Sequence, residues 1–146
     1  MRPSFAFATL VAFGATAALA QNLGVIKQRR DLYEAMGKSV KQPTKAYKGD
    51  DKFDLAKVKA ALKVIQETTA KLPALFPDES KTGGDTEALP KIWDNKADFE
   101  GRMKKLNAAA KAAESSITDE AAFQAQWKDF MGHCSGCHKE YRKPKD

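Results

Sequence analysis

His133, Cys134, Cys137 and His138 gather every cysteine and histidine of the chain into six consecutive positions. On a helix, residues i, i+3 and i+4 share a face, so Cys134, Cys137 and His138 point the same way. The run Cys-Ser-Gly-Cys-His is a C-x-x-C-H motif, the attachment pattern of a c-type haem. Two thiols one turn apart can add across the two vinyl groups of a porphyrin. The imidazole that follows then reaches the iron from the proximal side. Ser135 and Gly136 are small and let a flat macrocycle approach. The implied cofactor is one covalent haem c, with Cys134 and Cys137 as thioethers and His138 as the axial iron ligand.

Three other chemistries use the same residues. A redox dithiol usually accompanies a βαβ pattern, and no such pattern is visible. Zinc held by His133, Cys134, Cys137 and His138 needs tetrahedral closure, for which four ligands in six positions leave little room. A structural disulfide across so short a loop constrains little. His133 matches no ligand role and reads as a surface or edge residue.

The first 20 residues, "MRPSFAFATLVAFGATAALA", have the layout of a secretory leader. One Arg precedes an apolar run, and small residues close it at Ala18 and Ala20. Cleavage after Ala20 is expected, with residues 21–146 as the mature domain, exported to a bacterial periplasm. The apolar run is short for a membrane span, and nothing later is apolar enough for one. The leader carries one of the 25 basic residues, Arg2; the remainder sets 24 against 19 acidic residues, a formal charge of +5. The two signs are interspersed, as on solvated helix faces. No basic block suits nucleic acid, and a mild preference for acidic partners is all the charge implies.

Helices must position the motif. Apolar stripes at helical spacing run from about 23 to 42 (Leu23, Ile26, Tyr33, Met36, Val40) and from about 54 to 71, with Asp54 as N-cap. A third runs from about 96 to 115 and a fourth follows a Thr118 cap. The fourth stripe passes through Phe123, Trp127 and Phe130 into Cys134, Cys137, His138 and Tyr141. Pro43 is expected to help stop the first helix. The irregular stretch 72–95 still carries Leu75, Phe76, Ile92 and Trp93, so it should pack on the helices. No period-2 strand runs and no internal repeat are present. Four amphipathic helices predict an all-α, antiparallel up-down four-helix bundle with the haem near the C-terminus. Arg29 lies on the first apolar stripe, where a guanidinium needs an anion or a route to water.

Three segments together resemble the cytochrome c′ family, the class II cytochromes c. "CSGCHKEYRK" is similar to the family's terminal pattern, "GGD" at 83–85 leading through "LPKIW" to its loop before the third helix, and "RRDLYEAMGK" to its first helix. The resemblance implies haem contacts by Arg29, through a propionate, by Arg30 beside it and by Asp85. It implies a positive charge on the proximal side from Arg142. It places Tyr33, four residues after Arg29, over the distal face, with Met36 packed beside the macrocycle. The implied function is electron transfer, or binding of nitric oxide or carbon monoxide at a five-coordinate iron. A low-spin carrier with Met36 on the iron is the second reading, and a non-haem dithiol or zinc bundle the third. With one iron and no acid–base pair beside it, turnover is not expected. The redox partner stays unnamed, and a homodimer through the first two helices is implied.

Overall fold

A computed structural model describes the backbone of residues 13–144 and the side chains from 22 onward. Four long helices and one short one account for most of it: α1 (Phe13–Tyr47), α2 (Leu55–Lys71), α3 (Lys91–Asp94), α4 (Lys96–Ser116) and α5 (Glu120–Tyr141). Helix α1 packs on α2, α2 on α4, α4 on α5 and α5 back on α1, closing an antiparallel four-helix bundle. Of these pairs, α1 and α5 touch least. Among the described residues the only β pairing is an isolated bridge between Ala88 and Arg142. No described helix is long and apolar enough to cross a membrane.

The expected stripes form the core. Leu62 and Ile65 of α2, Phe99 of α4, and Phe123 and Trp127 of α5 are buried together. The α5 aromatics stack along the helix, Phe123 to Trp127 at 5.1 Å and Trp127 to Phe130 at 5.4 Å between ring centroids. The 72–95 stretch forms two 3₁₀ turns and α3, and buries Phe76 and Ile92 in that core.

Helix ends show where local signals prevailed. Asp54 caps α2 by accepting the Lys57 N–H at 3.1 Å, as expected. Two expectations need correction. Thr118 is not the α5 cap; Asp119 is, accepting the Ala122 N–H at 2.8 Å. Ile117 is fully buried and holds the α4–α5 corner, which places the stronger carboxylate cap one residue later. Pro43 does not stop α1, which runs on to Tyr47. The last turn buries Pro43 and Ala46 and sets Tyr47 edge-on against Phe123 at 6.3 Å. That packing offsets the hydrogen bond Pro43 cannot donate. The leader expectation falls largely outside the described residues; residues 13–20, rich in alanine, continue the α1 backbone.

The stop comes at Gly49, with φ +81°. Its N–H reaches Ala46 O at 3.0 Å, and the Asp50 N–H reaches Lys45 O at 2.9 Å. These two bonds make a Schellman motif, which needs the left-handed conformation that glycine adopts freely. A Cβ at Gly49 meets open space, so a substitution meets backbone strain alone. Gly49→Ala is expected to cost about 1 kcal/mol of stability. Urea titration checks this; an unchanged midpoint refutes the strain argument.

Candidate haem site

A cavity of about 820 Å³ opens between α1 and α5, where those helices part. Cys134, Cys137 and His138 line it from α5, and Tyr33, Met36 and Val40 from α1. Phe99, Met103 and Leu106 of α4 make its floor, and residues 86–88 close one side. The helical spacing explains the α5 wall. The stripe that buries Phe123, Trp127 and Phe130 continues into both thiols and the imidazole. Those three side chains are only half-buried, because the cavity takes the place of packed neighbours.

The residues present fit a haem. The volume and apolar walls suit a cofactor pocket, which spans roughly 300–1,000 Å³. Both cysteines are free thiols, so neither is spent in a disulfide. Burial first, and then Cys137, push the Cys134 thiol up to about 11. Burial also raises Cys137, while the Arg102 guanidinium opposes and Asp98 adds to the rise. Both sulfurs are therefore neutral near pH 7, the charge state a thioether keeps. No cluster of three or more metal-ligating side chains exists among the described residues to support the zinc reading.

On the opposite wall, Tyr33 faces the thiols. Its phenol is raised well above the ordinary tyrosine range by burial and by Cys137, with Arg29 opposing. It remains a protonated phenol at neutral pH. Met36 lies one turn further along and is 9% exposed. His133 is exposed at the rim, facing away from the Cys134 direction by about 100° around the helix. Arg142, half-buried, also lines the cavity; its N–H caps α5 on His138 O at 3.1 Å.

Arg29 is 2% exposed and lines the cavity. Its guanidinium donates to hydroxyls and carbonyls of residues 75–86, the nearest being Thr86 Oγ1 at 2.6 Å. Asp85 does not line the cavity. Its exposed carboxylate accepts from Arg30 Nη1 at 3.0 Å, so the two residues expected on the haem pair with each other at the surface. Arg30 reaches the cavity rim as well.

Sequence reasoning missed Asp98 and Arg102. Arg102 Nε donates to Asp98 Oδ2 at 2.7 Å, Tyr141 Oη donates to the same oxygen at 2.5 Å, and Arg102 Nη1 reaches the Gly136 carbonyl at 3.4 Å. The bonds from Tyr141 and then Arg102 hold the Asp98 carboxyl below the usual range. This network braces the turn between the two thiols. Its i,i+4 acid–base spacing was visible in the sequence, but its contact with α5 was not.

The family model described as Cytochrome C′ matches residues 24–142. The chain belongs to the cytochrome c′ family. It is 46% identical over 138 residues to cytochrome c′ of Rhodopseudomonas palustris, covering 94% of each chain. The solved structure of cytochrome c′ from Rhodopseudomonas palustris superposes with a TM-score of 0.81 at 47% identity, over 84% of this chain and 98% of that one. A nitric oxide complex of a cytochrome c prime variant from Alcaligenes xylosoxidans matches with a TM-score of 0.71 at 25% identity, over 84% and 97%. Membership in the cytochrome c′ family brings covalent haem c as the cofactor and sets aside the dithiol and zinc readings.

Proposed function

We propose that this chain is an exported cytochrome c′ that holds a five-coordinate haem iron, binds a small diatomic gas there, and passes single electrons. Cys134 and Cys137 would hold the macrocycle edge and His138 would face the iron. Bound there, a haem supplies a one-electron couple and an iron position for a gas such as nitric oxide or carbon monoxide.

One observation carries the open-site reading. Half-buried Tyr33, rather than a thioether alone, stands in the wall across from the thiols, and its phenol stays protonated. A neutral phenol is a poor iron ligand, so it fills space without closing the coordination position. Met36 packs in the core beside it. The relative solved as a nitric oxide complex supports the gas-binding part. Arg142 at the end of α5 would place positive charge on the His138 side. Arg30, at the cavity rim, would contact the macrocycle edge while its ion pair with Asp85 holds that loop beside it. The arrangement is that of a binder and carrier rather than a catalyst. The leader layout supports export, and the family resemblance supports a homodimer through α1 and α2.

Parallel variants test the reading. Tyr33→Ala is expected to speed carbon monoxide association about tenfold, the effect of roughly 1.4 kcal/mol removed from the barrier. Met36→Leu should leave the ferric and ferrous spectra unchanged. A low-spin spectrum that Met36→Leu converts to high-spin would mean a Met-ligated iron, and the plain electron carrier then replaces this proposal. Export has its own check: haem-loaded protein should begin at Gln21, and an N-terminus at Met1 overturns cleavage.

A further inference from the structure

Arg29 is buried, and its hydrogen-bond set is specific. Nη1 donates to Ser80 Oγ at 2.8 Å and to Leu75 O at 3.4 Å. Nη2 donates to Ser80 O at 3.0 Å and to Thr86 Oγ1 at 2.6 Å. The guanidinium lies 4.8 Å from the Phe76 ring centroid and 5.6 Å from that of Trp93. Desolvation makes such a group costly unless its donors are satisfied, and both terminal nitrogens are. Every partner named here lies between residues 75 and 93, while Arg29 itself lies on α1. Arg30 ties the same stretch at the surface through Asp85.

The far end of that stretch is tied to α5. Thr86 Oγ1 also accepts the Ala88 N–H at 3.2 Å, shaping the turn into the cavity wall. The Leu89 N–H donates to Tyr141 O at 3.0 Å, and the Lys143 N–H donates to Glu87 O at 2.8 Å. Residues 75–89 thus form a strap from α1 to the end of α5. Its two anchors lie four residues before Tyr33 and three to five residues after His138. These are the neighbouring long helices that touch each other least, and they bound the cavity from opposite sides.

We infer that Arg29 is a positioning residue: by clamping Ser80 and Thr86 it holds the strap taut, fixes the separation of α1 from α5, and so sets how closely Tyr33 guards the iron. The inference rests on the proposed distal role of Tyr33. Directional bonds set the distance here because direct α1–α5 packing is sparse. Removing the acceptors lets α1 move away, and a small ligand passes Tyr33 more readily. Arg29 acts through the strap and through Tyr33, not by touching the ligand.

The test uses the haem-loaded protein. The double variant Ser80→Ala, Thr86→Val keeps Arg29 and removes two of its acceptors. It is expected to raise the carbon monoxide association rate about threefold by enlarging the ligand-admitting fraction. The resting spectrum should stay five-coordinate, and amide exchange over residues 78–89 should speed up. Added to Tyr33→Ala, the double variant should give no further gain, because the two act in series. Arg29→Lys should reproduce the double variant, since a lysine lacks the fork. If Tyr33→Ala speeds binding but the double variant does not, the strap idea is wrong and the Tyr33 reading survives. Additive gains also overturn it. So does a midpoint potential that shifts in Arg29→Lys while the double variant binds at the parent rate, which would assign Arg29 to a haem propionate. If Tyr33→Ala itself has no effect, the distal reading fails on its own arm and takes the strap's role in ligand binding with it.

Discussion

Replacing His138 with alanine is expected to change the iron spectrum in both oxidation states, whereas His133→Ala leaves it as in the parent protein. The two histidines are five residues apart on the same helix, but they differ in what surrounds them. His138 follows Cys137 directly, is half-buried and lines the cavity; His133 is exposed at its rim. The His138 backbone is also held, its carbonyl accepting the Arg142 N–H at the α5 cap. Alanine preserves that cap and the helix, so the change isolates the imidazole. Free imidazole added to the His138→Ala protein should restore much of the original spectrum, because the vacated space and the two thioethers remain. Absorption spectroscopy across oxidised and reduced forms is the measurement. A parent-like His138→Ala spectrum, or a strong change in His133→Ala, refutes the axial assignment.

The second large effect is expected from the thiols. Cys134→Ala, Cys137→Ala together should abolish covalent haem, and each single variant should retain one thioether. Intact mass before and after acid–acetone extraction reads this directly. Both cysteines line the same cavity, and both are free. Retention of extraction-resistant haem by the double variant contradicts the attachment chemistry. Stability should fall with haem loss. A dry cavity of about 820 Å³ would cost about 20 kcal/mol at ~24 cal/mol per Å³, more than the ~5–15 kcal/mol that keeps a domain folded. The protein without haem therefore cannot keep the site both empty and open. Water must flood it or the walls must collapse, and thermal melting followed by circular dichroism should show a lower, broader transition.

Much of this was legible from neighbouring residues alone. Cys134, Cys137 and His138 converge because one helical turn brings them together, and no other element is needed. Asp54 caps α2 through a bond three residues long. The α5 stripe from Phe123 to Tyr141 follows from a period of 3.6, and it set both the bundle and the face that carries the motif. Such features depend on contacts within about four positions, which the order of residues dictates directly.

The rest depended on where distant segments meet. Pro43 was read as a stop because its local cost is plain, and the burial that offsets it comes from α5, some 80 positions away. Thr118 and Asp119 are both good caps, and the buried Ile117 beside them chose between the two. Arg30 and Asp85 pair across 55 positions, a contact that no local pattern announces. Arg29 was seen to need a partner. Its partners lie 46 to 57 positions away, in a stretch without regular period. The sequence by itself determined the helices, the attachment turn and the need to satisfy a buried guanidinium. The tertiary structure decided what satisfied it, because hydrogen bonds across a bundle are set by how helices and loops pack, and that packing is a property of the whole chain.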